Sequence, residues 1–293
     1  MNKIGKDRLR FWAKRIAMNL AIICVAQYLI ICAFVLFKIN DAMFHPQEPS
    51  YSWDTPHVVN MNAAPAGVLV DPPPIPIAAF WHPNAQTNKV ILYLHGNAED
   101  IGDLAGVFED FHQSGFSVFA PDYPGYGLSR GKPTEKNVYD TAVMAYLFLI
   151  AHGVEASDII VLGRSIGSGP ACYLAENVPV GGLVVESGFT SAPRVVTRIR
   201  ILPFDPFPNI RRVRNIACPK LFIHGVKDST VPVSHGKALF AAAKEPKTLL
   251  LIDTAGHDDL MFEFGGYFET LRDFVSRRDA EAQRDIENEN FRF

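Results

Sequence analysis

The chain has 293 residues, 48% hydrophobic and 20% charged, with 21 Gly, 21 Pro and 4 Cys. That composition excludes a disordered charged tail, a collagen-like fibre and a cysteine-stapled miniprotein. The formal charge of −3 supplies no basic field and argues against nucleic acid as a partner.

Residues 1–15 carry Lys3, Lys6, Arg8, Arg10, Lys14 and Arg15 against Asp7 alone, and an uncharged run, IAMNLAIICVAQYLIICAFVLF, fills residues 16–37. As a helix this run reaches about 33 Å, enough for a hydrocarbon core of ~30 Å. A cleaved signal peptide has a shorter apolar stretch and a small-x-small site, whereas Phe34, Leu36, Phe37 and Lys38 stand at the end of this one. The pattern predicts a retained signal anchor, one transmembrane helix in the lipid bilayer. Basic residues crowd its N-terminal side. The positive-inside rule therefore expects a cytoplasmic N-terminus and an extracytoplasmic remainder, periplasmic if the cell is bacterial. Cys24 and Cys32 fall in the span, and no disulfide is expected between Cys172 and Cys218.

Residues 38–66, with Pro46, Pro49, Pro56 and Pro65, read as a stalk. The domain expected over residues 67–277 opens with GVLVDPPPIPIAAFW, whose prolines confine two short strands to a sheet edge. Apolar β-rich runs follow at Val90–Leu94, Ser117–Ala120, Ile159–Leu162, Leu183–Val185, Leu221–Ile223 and Leu249–Ile252. Helical stretches lie around Asp100–Gln113, Thr134–His152, Ser165–Asn177, Ser234–Ala243 and Leu260–Arg277. Strands apolar on both faces, alternating with helices, predict an α/β fold: a mostly parallel sheet with helices on both sides. Residues 278–293 are a charged tail expected to fray into solvent.

The sharpest chemical signal is Gly163-Arg164-Ser165-Ile166-Gly167, placed between a predicted strand and a predicted helix. Gly163 and Gly167 allow a tight strand-to-helix turn that exposes the Ser165 hydroxyl at the carboxyl end of the sheet. A serine needs a base, because its hydroxyl is not ionised near neutral pH. In the order nucleophile, acid, histidine, the candidates are Asp228, just past a strand, and His257, on a Gly-His turn after the next. Asp253, Asp258 and Asp259 are nearer to His257 in sequence, but the first reads as a strand end and the others as a helix start. An oxyanion requires two donors. The backbone N–H of Ile166 is one candidate and that of Asn97, in the turn His95-Gly96-Asn97, the other; His95 reads as a buttress of this loop. Asp122, Tyr123 and Tyr126 read as a hydrogen-bonded turn or as the mouth of a pocket.

With LHGNAED, PDYPGYGLSRG, GRSIGSGPA, ESGFTS, HGVKDSTVP and AGHDD in hand, the chain resembles the α/β-hydrolases over roughly residues 85–275. More narrowly it is similar to the membrane-anchored serine hydrolases of the α/β-hydrolase domain-containing, depalmitoylase-like group and their bacterial relatives. The resemblance implies an α/β-hydrolase fold with a short cap and a triad on Ser165, Asp228 and His257. It also implies hydrolysis of carboxylic ester or thioester substrates (EC 3.1 chemistry), lipid or lipidated, through an acyl-enzyme. Two departures stand out: the proline-rich DPPPIPIAAFW replaces the usual early strand pair, and the Gly188–Pro219 segment, where relatives insert a lid, is short and Arg-rich. The mechanism calls for no cofactor and no metal. A peptidase or aminopeptidase of the same fold is the alternative, although the short cap offers no acidic site for an amine. A non-catalytic tethered binding protein is the third reading, and degenerate proteins of that kind usually lose a triad residue.

Overall fold

The computed structural model describes residues 3–62, 75–197 and 202–276. The apolar N-terminus is one helix, α1 (Lys3–Met43), and its Arg10–Met43 portion is long and apolar enough to cross a membrane, with a mean hydropathy of 2.7 over an 18-residue window. The helix runs on past the uncharged run into Lys38 and Asp41, which pair one turn apart at 3.1 Å. Phe44 begins a separate unit.

Residues 44–62, which the prolines suggested as a stalk, belong to that folded unit. The Ser50 backbone N–H donates to Asp100 at 2.8 Å, and the Tyr51 hydroxyl donates to Asp122. The turn that follows leads into β1 (Val58–Asn60). Of the two edge strands expected in residues 67–81, the structure describes one, β2 (Ala78–His82), and its outer partner is β1 rather than the earlier half of that stretch. Residues 67–74, with the Pro72–Pro74 run, lie outside the described residues.

The remaining strands follow the apolar runs: β3 (Val90–Leu94), β4 (Ser117–Pro121), β5 (Ile159–Arg164), β6 (Gly182–Glu186), β7 (Lys220–Gly225) and β8 (Lys247–Ile252). The sheet order is β1-β2-β4-β3-β5-β6-β7-β8, antiparallel for β1–β2 and β2–β4 and parallel from β4 to β8. Every residue of β3, β4, β6 and β7 is buried, as expected for parallel strands covered on both faces.

The helices are α2 (Ala105–Gln113), α3 (Glu135–Ala151), α4 (Ser168–Asn177), α5 (Ala192–Thr197), α6 (Asn209–Arg212), α7 (Ser234–Ala242), α8 (Leu260–Glu263) and α9 (residues 267–276). Helix α2 starts later than its pattern suggested. The Asp100 carboxylate takes the N–H groups of Gly102 and Asp103 at 2.9 and 3.2 Å, holding that stretch as a turn. One face of the sheet buries Tyr93, Phe108, Phe111, Tyr267 and Leu271 in one cluster, each worth about 1.5–3 kcal/mol of transfer free energy. Chain order reverses around β3, which has β4 on one side and β5 on the other, and the carboxyl ends flanking such a reversal are where open α/β sheets place their sites.

Candidate active site

Ser165 follows β5 in a single 3-10 turn, Ser165–Gly167, that passes directly into α4. Its φ of +52° is a left-handed conformation that costs a non-glycine residue about 1–3 kcal/mol and persists only where the surroundings impose it. They do. A Cβ on Gly163 would meet the Gly167 carbonyl oxygen at 2.4 Å, and a Cβ on Gly167 would meet the Leu94 carbonyl oxygen at 2.0 Å. The Ser168 hydroxyl ties off the turn by donating to the Ser165 carbonyl at 2.6 Å.

The Ser165 hydroxyl lies 3.0 Å from His257 Nε2, and His257 Nδ1 donates to Asp228 Oδ2 at 2.7 Å. Ninety-two residues separate the first pair, and the fold closes the gap through two loops zipped together at their backbones. Val226 N–H donates to the Ile252 carbonyl and Lys227 N–H to that of Ala255, both at 2.9 Å, which ties the loops after β7 and β8 together. Asp228 Oδ1 accepts the N–H groups of Thr230 and Val231 at 2.9 and 2.7 Å. Burial alone would raise this carboxyl. Hydrogen bonds from His224, from His257 and from the Val231 N–H win, and hold it well below the ordinary carboxylate range. It is therefore a permanent anion facing the imidazole.

The other three aspartates have other work. Asp259 accepts the Gly256 N–H at 2.6 Å and so shapes the histidine turn, Asp258 pairs with Arg164 at 2.6 Å, and Asp253 is exposed at the end of β8.

On the opposite side, His95 is fully buried behind the Gly96-Asn97 turn. Its Nδ1 lies 2.8 Å from the Gly96 carbonyl and its Nε2 3.4 Å from Asp122. Burial pushes the His95 ring down and Asp122 up to about 8, the latter despite the Tyr51 hydrogen bond, so both are neutral near pH 7. Asp122, Tyr123 and Tyr126 are all buried, which makes this a hydrogen-bonded turn and not a pocket mouth. The Asn97 side-chain oxygen accepts from the Tyr126 hydroxyl at 2.6 Å and from the His45 N–H at 2.9 Å. The loop is thus fastened from the segment that follows α1.

Two side chains that motif reading overlooked complete the site. Arg164, the variable position before the serine, is the register partner of Glu186 across β5 and β6. Its guanidinium reaches both Glu99 oxygens at 2.6–2.7 Å and Asp258 at 2.6 Å, while Glu99 accepts the Gly96 N–H at 2.6 Å. One residue thereby joins the serine turn, the Asn97 loop and the histidine loop. Burial works against its charge, but Glu99, Tyr93 and Glu186 outweigh it and raise the guanidinium further. His224, buried in β7, donates from Nε2 to the Val231 carbonyl at 2.8 Å and stands 3.4 Å from Asp228, bracing the acid from behind. An arginine next to the candidate serine and a histidine inside an apolar strand were the available signals. Among the described residues, the one cluster with metal-ligand chemistry, His82, Glu109 and His112, lies on β2 and α2 and not on these loops.

The family model described as serine aminopeptidase, S33, matches residues 85–203. Alpha/beta hydrolase domain-containing protein 17B from Homo sapiens is 37% identical over 199 residues, covering 67% of this chain and 68% of that protein. The corresponding protein from Xenopus tropicalis is 36% identical over the same length and shares. Among solved structures, an esterase from Pyrococcus furiosus superposes with a TM-score of 0.64 at 19% identity, covering 80% of this chain and 97% of its own.

Proposed function

The chain belongs to the α/β-hydrolase superfamily, and from that premise we propose that it is a serine hydrolase that cleaves ester or thioester bonds through an acyl-enzyme. The observation that carries the reading is the unbroken hydrogen-bond chain from Ser165 through His257 to Asp228. In this proposal His257 takes the serine proton as Ser165 attacks the carbonyl, and Asp228 holds the imidazole tautomer and stabilises the imidazolium. The backbone N–H groups of Asn97 and Ile166 receive the oxyanion. Breakdown expels the alcohol or thiol, which takes its proton from His257. Water activated by the same ring then releases the acid. None of these steps calls on a cofactor.

The matching aminopeptidase model favours a second reading, hydrolysis of peptides from a free N-terminus. Such an enzyme needs an unpaired carboxylate for the substrate ammonium. Three acids beside the serine turn and its loops, Glu99, Glu186 and Asp258, are each engaged by Arg164, which supports the ester reading. The helix α1 and its basic flank support a single-pass anchor in the bilayer, with the N-terminus cytoplasmic, the domain extracytoplasmic and the substrates acylated lipids or lipidated molecules.

The test is labelling of the detergent-solubilised protein with a fluorophosphonate probe beside Ser165→Ala, followed by matched ester, thioester and aminoacyl-amide substrates. Label on the wild type alone, with ester or thioester turnover, is the expected result. A folded wild type that takes no label overturns the serine mechanism, and turnover of the amide alone moves the assignment to the aminopeptidase. Reporter fusions at the C-terminus test the orientation: activity from a cytoplasm-only reporter reverses it.

A further inference from the structure

Three imidazoles stack on the antiparallel edge of the sheet. His82 ends β2, and its ring lies parallel to that of His112 with 3.6 Å between centroids and 3° between planes. His57, in the turn before β1, covers its other face at 3.8 Å and 26°. Glu109 stands one helical turn before His112 on α2, so both project from the same helix face, and its carboxylate is 3.8 Å from His82 Nδ1. One ligand atom each from His82, Glu109 and His112 fall within 4.8 Å of one another.

The backbone holds this group together. Trp81 N–H donates to the His57 carbonyl at 2.8 Å, and the Asn84 side chain donates to the His112 carbonyl at 3.1 Å. His57 adopts φ +67°, a left-handed conformation uncommon for a residue with a Cβ. Packing explains part of the arrangement, since Phe80 touches the His57 and His82 rings at 5.4 and 6.0 Å. Packing does not explain the nitrogen: His82 Nδ1 is buried without a hydrogen-bond partner, which a ring chosen only for stacking would avoid.

We propose that His82, His112 and Glu109 are the ligands of a divalent metal ion of the zinc type, with water or His57 completing a tetrahedron. Two imidazole nitrogens and one carboxylate oxygen are the donor set zinc favours, whereas magnesium and calcium favour oxygen alone. Parallel rings cannot both aim a lone pair at one ion, so binding turns the half-buried His112 ring out of the stack. The ion then clamps β2 to α2. It makes no contact with the serine and has a structural role.

The experiment uses the full chain in detergent, purified without a polyhistidine tag and stripped with a chelator. Zinc is titrated by calorimetry and by thermal unfolding, with magnesium as control. One zinc per chain and a raised Tm are expected, with no response to magnesium. Loss of an outer-shell partner alone weakens metal sites 10–100-fold, so His112→Gln and Glu109→Gln should each weaken binding by more than about tenfold. Cobalt should give the visible absorption of a tetrahedral site in the wild type and not in His112→Gln. Both substitutions are at incompletely buried positions, and undiminished fluorophosphonate labelling reports that the variants are folded. Absence of saturable zinc binding, or equal affinity in the Glu109→Gln/His112→Gln double variant, overturns the proposal.

Discussion

The molecule gathers titratable side chains in two places, and the two are built differently. At the carboxyl ends of β5, β7 and β8, Arg164, Asp228 and His257 each have directional partners at 2.6–3.0 Å. At the β1–β2 edge, three rings lie face to face, and a buried nitrogen of the middle one has no partner at all. A saturated network fixes geometry, so losing one member strands the others. An unsaturated one has donors to spare and tolerates loss until something binds. Substitutions at the first place should therefore be costly, and those at the second nearly silent in the absence of metal.

The largest effect is expected from Asp228→Asn. It removes the anion that sets the His257 tautomer and should lower kcat by about 10⁴. Burst kinetics on an activated ester would measure this, and an unchanged rate would assign the role to another acid. Next comes Arg164→Met, which leaves Glu99 and Glu186 buried beside an apolar side chain. A stability loss of about 3–5 kcal/mol is expected from breaking the pair, with a fall in kcat of about 10² as the three loops lose register. Unfolding and steady-state curves separate the two: a lowered Tm with intact kcat would make Arg164 structural only. Arg164→Lys should recover part of the stability and little of the rate, because a point charge cannot bridge Glu99 and Asp258 together.

A smaller effect concerns Asp122, whose carboxyl is raised from 3.8 to about 8 by burial. Between these values the folded chain holds a proton that the unfolded chain has released, so this group's contribution to stability declines as pH rises through the window and then levels. Urea midpoints across that range should fall with pH in the wild type. The fall should be shallower in Asp122→Asn, which keeps an acceptor for the Ile101 N–H now bound at 3.1 Å. Identical slopes would place the pH dependence elsewhere. The smallest effect belongs to His112→Gln, for which ester turnover of the metal-stripped protein should match the wild type within error. A clear loss would mean that α2 transmits strain to the Asn97 loop and that the two places are not independent.

Much of the central domain was legible from local pattern. Strands buried on both faces announce themselves by unbroken apolar runs, and the Gly-x-Ser-x-Gly turn carries its own steric reason. The candidate triad order also follows from which strand each residue leaves. Local pattern failed where a partner lies far along the chain. Nothing near Arg164 in sequence signals Glu99, 65 residues before it, or Asp258, 94 after it. Prolines made residues 44–62 look like a spacer, yet Ser50, Tyr51 and His45 meet their partners 50 to 71 residues downstream. Hydropathy likewise marks where hydrocarbon would end and not where a helix does, so α1 outruns its apolar stretch.

The fastening of residues 44–62 bears on where the domain can be separated from α1. A proteolytic nick or an engineered start just ahead of Phe44 leaves β1 on the sheet and donors on Asp100 and Asp122. A cut placed after the prolines, near residue 66, strips β1 away. The rim of β2 would then present bare N–H and C=O groups, the template on which strands of separate molecules join into aggregates. A domain that stays soluble and one that aggregates are thus expected to differ by about twenty residues, none of them in the proposed triad.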